Sequence, residues 1–128
     1  MSNHVLDSSA ILALILEEQG KDVVQQAIMD GSLVGTVNLS EVVGKLSDEG
    51  NTREQIEALL PPIRLEIVHF DEKQAWQAGR LRPITRQAGL TLGDRACLAL
   101  GIAMGLPVLT ADRVWAQLDV GVEVVVCR

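Results

Sequence analysis

The feature that most constrains this chain is an alternation. Short aliphatic runs are separated by segments of helical spacing, with no hairpin signal between most of them. Val5-Leu6, Leu33 to Val37, Leu65 to Phe70, Pro107 to Thr110 and Val122 to Val126 read as five strands. Ser8 or Ser9 can cap a helix through Leu16, and a second helix covers Lys21 to Asp30 before Gly31. Leu39 to Asp48 reads as a helix ended by Gly50. The next opens on a Thr52/Gln55 capping box and stops at Pro61-Pro62. Glu72 to Arg82 is amphipathic up to Pro83, with a further turn to Ala88. Leu92 to Met104 is apolar almost all round, and Val114 to Leu118 is a short helix. Strands joined through helices run parallel, and a parallel sheet is covered on both faces. The expected fold is therefore one α/β domain over residues 1–128, with a central five-stranded parallel sheet and helices on both faces.

Composition narrows the function. At 128 residues and 48% apolar, the chain can hide about two-thirds of its surface without a disulfide or structural metal. Three aromatics, Phe70, Trp76 and Trp115, are too few for a platform that stacks several bases. Eleven Lys and Arg against seventeen Asp and Glu leave a net charge of −6, the opposite of a generic phosphate binder. Cys97 and Cys127 stand without a CxxC or a Cys/His cluster and read as a buried, reduced pair. The apolar run Ala10 to Leu16 is too short to span a bilayer. It follows His4 and Asp7 rather than a basic stretch, so a secretory leader is not expected and the chain is expected in the cytoplasm.

Four carboxylates sit where an open α/β sheet builds sites, outside the carboxyl ends of its strands. Asp7 follows strand one, Glu41 lies in the first turn of the helix after strand two, and Asp112 is two residues past strand four. Asp94 opens the apolar helix that leads into strand four, where it and Arg95 are the only charges between Leu92 and Gly105. Each has a bland reading: Asp7 and Asp112 as caps, Glu41 as a complement to the helix dipole. If strands one, two and four are neighbours, all four acids meet at one edge. Two carboxylates about 4 Å apart repel by roughly 4 kcal/mol at an effective dielectric near 20. Such a cluster holds protons or takes an oxygen-loving divalent ion such as Mg²⁺ or Mn²⁺. His4 and His69 lie on or beside strands and read as structural, so nothing here suits zinc.

These residues resemble a known family, the PIN-domain ribonucleases, and within it the VapC-type toxins of bacterial toxin–antitoxin pairs. The matching segments are Val5 to Ala10 (VLDSSA), Val37 to Val42 (VNLSEV), Leu92 to Leu100 (LGDRACLAL) and Val108 to Arg113 (VLTADR), and the likeness covers essentially the whole chain. The resemblance implies a PIN fold and Mg²⁺- or Mn²⁺-dependent endonucleolytic cleavage of RNA in the cytoplasm. It also implies a homodimer and a cognate antitoxin that blocks the site. Asp7, Glu41, Asp94 and Asp112 match the family's acidic quartet, with Asp7 and Asp94 as leading metal ligands. Ser9 and Thr110 match the hydroxyl positions flanking the acids; capping remains the other reading for both, and for Ser8 it is the preferred one.

The quartet supplies −4 of the net −6. Arg80, Arg82, Arg86 and Arg95 fall within sixteen residues and, with Arg113, would make a phosphate-facing rim or else a solvated face or antitoxin contact. Leu12, Ile15, Leu16, Val23, Val24 and Ile28 offer more aliphatic surface than one sheet face needs, so a second protomer or an antitoxin helix is expected over part of it. Other phosphate chemistries fail: around Gly44-Lys45 a P-loop lacks its first glycine and its Ser/Thr, and the Asp-x-Asp of haloacid-dehalogenase phosphotransferases has Ser9 at its second position. Two other readings stay open: a catalytically silent protein-binding module on the same fold, and an RNA-processing PIN nuclease without an antitoxin.

Overall fold

Every strand of the central sheet is short, and the innermost ones carry apolar side chains on both faces. The computed structural model describes residues 3–60 and 65–128. In chain order these form β1 (His4–Leu6), α1 (Ser8–Ile15), α2 (Lys21–Met29), β2 (Ser32–Gly35), α3 (Thr36–Asp48), α4 (Arg53–Leu59) and β3 (Leu65–Val68). They continue with α5 (Glu72–Arg80), α6 (Arg82–Thr85), α7 (Leu92–Met104), β4 (Val108–Thr110), a 3₁₀ turn (Arg113–Gln117) and β5 (Val124–Val126). The strand order is β3-β2-β1-β4-β5 and every pairing is parallel. The expected α/β architecture is the observed one.

Alternation along the strands divides the core in two. Leu6, Val34 and Leu109 point to one face and pack with Ala10, Ile11, Val24, Ile28, Val42 and Leu46. Their chain neighbours Val5, Leu33 and Val108 point to the other, against Leu81, Cys97, Leu98, Leu100 and Trp115. Both faces are dry, so the inner strands read as unbroken aliphatic runs rather than as hydrophobic–polar alternation. Cys97 and Cys127 are free and buried, as expected.

Several boundaries differ from the sequence reading. Strand two stops at Gly35, and α3 starts at Thr36, not Leu39. The β-branched pair Thr36-Val37 favours strand, but tertiary contacts override it: Thr36 Oγ1 accepts the Phe70 N–H at 3.1 Å and Asn38 is buried. Glu41 is consequently in the second turn of its helix, not the first. The cap of α1 is Asp7 rather than Ser8 or Ser9. The predicted helix Glu72–Arg82 ends at Arg80, and after Leu81 α6 starts at Arg82 with Pro83 in its first turn, where its missing N–H costs nothing. The Val114–Leu118 helix is the 3₁₀ turn. The Thr52/Gln55 capping box and the stop at Gly31, with φ of 97°, are found as expected. Pro61-Pro62 lies outside the described residues.

The supposed surplus of aliphatic side chains on α1 and α2 is mostly core. Val24 and Ile28 are buried, Leu12 and Ile15 pack against the core, and Leu16 and Val23 are exposed. Among the described residues, no helix is long and apolar enough to cross a membrane.

Candidate functional site

With β2, β1 and β4 adjacent, the segments after these strands open onto one edge of the sheet, and α7 brings Asp94 into electrostatic reach of Asp7. Asp7 is only 2% exposed and serves two purposes. As the cap of α1 its Oδ1 accepts the Ala10 N–H at 2.8 Å. The same carboxylate receives the Ser9 hydroxyl at 2.8 and 2.9 Å and the Thr110 hydroxyl on Oδ2 at 2.6 Å. Ser9 Oγ also accepts the Ala111 N–H at 3.0 Å, tying α1 to the end of β4. Burial pushes the Asp7 carboxyl up to about 6 from its ordinary 3.8, and the charge of Asp94 adds to this. Hydrogen bonds from Thr110, the Ala10 N–H and Ser9 pull the other way without cancelling it.

Glu41 is held by two neighbours. Ser8 Oγ and Asn38 Nδ2 each donate to its Oε1 at 3.0 Å, and Asn38 Nδ2 also donates to the Gly93 carbonyl at 3.1 Å. Ser8 therefore holds Glu41 instead of capping α1, contrary to its reading as a cap. A side-chain carbon at residue 93 would overlap the Glu41 carboxylate where it now lies, so the glycine lets Glu41 rest against the start of α7. Asp94, one residue on, is the third residue of α7. Its carboxylate accepts the Thr91 N–H at 2.9 Å, and its own N–H donates to Thr91 Oγ1 at 3.2 Å in a capping box.

The Cys97 thiol is pushed well above its ordinary range by burial first, then by the charges of Asp7, Asp94 and Glu41. Asp112 stands further out. It is exposed, caps the 3₁₀ turn through the Val114 N–H at 3.0 Å, and joins the network by donating its own N–H to Thr110 Oγ1 at 3.1 Å.

The four acids differ in how ready they are to bind a cation. Among the described residues, no three His, Cys, Asp or Glu side chains are gathered as a metal cage. Each carboxylate is held by its own hydroxyl or amide partners, which is how like charges without a counter-charge separate. Among the described residues none of the four is in an ion pair with Lys or Arg. An all-oxygen donor set, with one desolvated carboxylate that no basic side chain neutralises, fits a hard divalent ion and not zinc.

The basic residues are dispersed. Arg95 is buried, donating to the Ala78 carbonyl at 3.0 Å in the α5–α7 contact, so it cannot face a phosphate. Arg80, Arg82 and Arg86 are exposed. Arg113 lines a cleft of about 590 Å³ with Ser9, Gln19, Ala111, Asp112 and Arg128. There Arg113 Nε donates to the Arg128 carbonyl at 3.0 Å, and Arg128 Nε donates to the Ala111 carbonyl at 3.2 Å. Sequence reasoning missed Asn38, Gly93, Gln19 and Arg128. Only Asn38 carried a signal, its spacing of three residues from Glu41 on one helix face.

The family model for the PIN domain matches residues 4–121. No curated protein matches the sequence. Among solved structures, DNA-bound VapBC from Salmonella typhimurium is similar at a TM-score of 0.73 and 18% identity, covering 100% of both chains. VapBC-5 from Mycobacterium tuberculosis, of the VapBC family of toxin–antitoxin systems, is similar at 0.65 and 25% identity, covering 98% of this chain and 99% of that one. The Mycobacterium tuberculosis toxin VapC20, described as cleaving the sarcin–ricin loop, is similar at 0.72 and 15% identity, covering 94% of this chain and 99% of that one.

Proposed function

Because this chain belongs to the PIN domain family, we propose that it is a Mg²⁺- or Mn²⁺-dependent endoribonuclease and the toxin of a toxin–antitoxin pair, acting in the cytoplasm as a homodimer. The carrying observation is Asp7: a desolvated carboxylate with no basic partner among the described residues, aimed by two hydroxyls, at the edge of the sheet onto which the segments carrying Glu41 and Asp112 also open. The similarity to VapBC assemblies supports an antitoxin partner, and that to VapC20 supports RNA as the substrate class.

Asp7 and Asp94 would hold the ion, with Glu41 and Asp112 completing the set directly or through water. When bound, the ion supplies an activated water and neutralises charge on the phosphoryl oxygens. The protein's own groups do the positioning. Ser9 and Thr110 orient the Asp7 lone pairs, while Asn38 and Ser8 hold Glu41. Arg113, fixed through its Nε–H, can present its remaining N–H donors to a neighbouring phosphate, while Arg128 is held by the Ala111 carbonyl and by Glu18, 3.4 Å from its Nη1.

The test is cleavage of total cellular RNA by the purified protein, wild type beside Asp7→Asn, with Mg²⁺ and with EDTA. Discrete fragments that vanish with EDTA and in the variant are expected. No cleavage from antitoxin-free protein would overturn the nuclease reading and favour the silent binding module. That module is favoured by one observation, the engagement of Asp94 in its capping box. Mn²⁺ titration separates the two, since a silent site would bind no Mn²⁺ or bind it unchanged in Asp94→Asn.

A further inference from the structure

Arg128 is no part of the acidic quartet, yet its side chain leads back to Asp7 through a run of hydrogen bonds. Its Nε donates to the Ala111 carbonyl at 3.2 Å. That carbonyl and the Asp112 N–H are the two ends of one peptide group, and this N–H donates to Thr110 Oγ1 at 3.1 Å. Thr110 in turn donates its hydroxyl to Asp7 Oδ2 at 2.6 Å, the shortest link of the run. A peptide group is planar and stiff, so fixing its carbonyl also fixes the direction of its N–H. With that N–H on the Thr110 oxygen, the hydroxyl proton points away from it, toward Asp7. A charged donor on a carbonyl also polarises the amide and strengthens the bond made by its N–H.

The inner links of this run are closed to water, since Thr110 and Asp7 are both buried. Only the outer end is wet. There Glu18 lies 3.4 Å from Arg128 Nη1, and both side chains are partly exposed, so the ion pair adds little by itself. Nor does the chain need the guanidinium to stay on the sheet. The Cys127 N–H donates to the Thr110 carbonyl at 2.9 Å, and β5 is paired with β4 up to Val126. We propose that Arg128 is a positioning residue for Asp7, acting through the 111–112 peptide and the Thr110 hydroxyl to aim the carboxylate at its metal ion. The inference rests on the proposed metal role of Asp7. A phosphate contact fits Arg128 less well, because its Nε and Nη1 are already engaged, whereas Arg113 commits only its Nε.

The experiment is Mn²⁺ titration of the metal-free full chain, read from the electron paramagnetic resonance of free Mn²⁺. It compares wild type, Arg128→Ala, Arg128→Lys, Thr110→Val and the Arg128→Ala/Thr110→Val double variant. Arg128→Ala should weaken Mn²⁺ binding about tenfold, the low end of what an outer hydrogen-bond partner contributes. Arg128→Lys keeps a charged donor for the Ala111 carbonyl and should recover most of the loss. Thr110→Val cuts the last link, so adding Arg128→Ala to it should cost nothing further. On RNA at limiting Mn²⁺, Arg128→Ala should lower kcat and leave KM near wild type, because Arg113 binds the main-chain carbonyl of residue 128, which the replacement retains. Amide exchange in metal-free protein is the second readout: the Asp112 N–H should exchange several-fold faster in Arg128→Ala while the β1 amides, unchanged, show an intact fold. Unchanged Mn²⁺ affinity with a raised KM would make Arg128 a phosphate contact and overturn the proposal. So would additive losses in the double variant, or an Asp112 N–H that does not respond. If wild type binds Mn²⁺ but cleaves no RNA, the nuclease reading fails alone, and the titration and exchange still decide the role of Arg128. A wild type that binds no Mn²⁺ overturns both.

Discussion

Replacing Asp7 by asparagine should make the protein more stable above pH 6 while removing the carboxylate on which the proposed chemistry depends. The folded carboxyl titrates near 6 rather than 3.8, so the native state binds that proton more tightly than the unfolded chain does. The cost of ionising Asp7 in its buried setting is therefore absent below about pH 4, grows as pH rises to 6, and is complete above it. A difference of roughly two pKa units corresponds to about 3 kcal/mol. Asparagine carries no charge at any pH and avoids this cost. Its Oδ1 can still accept from Ala10 and Ser9, and Thr110 can turn its hydroxyl toward Ser9 Oγ, 3.2 Å away, to accept from the new amide. Allowing about 1 kcal/mol for imperfect rearrangement, the net gain at pH 8 is on the order of 2 kcal/mol, or about 6–10 °C in Tm for a chain of this size. The assay is urea denaturation of both proteins in EDTA between pH 4.5 and 8. The stability difference should be small or reversed at pH 4.5, should climb through pH 5 to 6, and should level off above. Added Mn²⁺ should narrow it by stabilising only the wild type, by about 2.7 kcal/mol at a hundredfold excess over Kd. A difference independent of pH, or a variant less stable than wild type at pH 8, would refute the argument.

Asn38→Ala frees Glu41 and should weaken Mn²⁺ binding and RNA cleavage by about 10- to 100-fold, the usual effect of losing an outer hydrogen-bond partner, with far-ultraviolet circular dichroism unchanged. Gly93→Ala puts a methyl where the Glu41 carboxylate lies and should swing that carboxylate off Ser8 and Asn38, lowering RNA cleavage by about 10- to 100-fold with little change in chemical denaturation; unchanged cleavage would disprove that packing. Cys97, fully buried and with its thiol pushed up by that burial first and by nearby carboxylates second, should react with a thiol reagent only as fast as the protein unfolds, whereas rapid labelling of native protein at pH 8 would show that the thiol is not sealed in the core.

What could be read along the chain was whatever depends on near neighbours. The capping box at Thr52, the stop at Gly31 and the two-sided burial of the inner strands all follow from local spacing, and the structure has them. Boundaries failed where a distant contact outweighed propensity, as at Thr36, whose hydroxyl receives an N–H from a residue 34 positions away. Ser8 was misjudged for the same reason: a serine after a strand is ordinarily a cap, and its partner Glu41 lies 33 residues on. Arg95 was read as part of a basic rim because it is charged, and nothing in its neighbourhood signals that Ala78 would receive it in the interior.

The sequence by itself determined that this chain would be a parallel α/β domain with acids after its strands, because the periods of strand and helix and the chemistry of caps are local properties. Only the tertiary structure decided that Asp7 would be sealed from water, that Gly93 would make room for Glu41, and that Glu72, Trp76 and Arg80 would be left facing outward. Desolvation, close approach and exposure are properties of which surfaces meet, and a linear order of residues does not contain them until the sheet has closed.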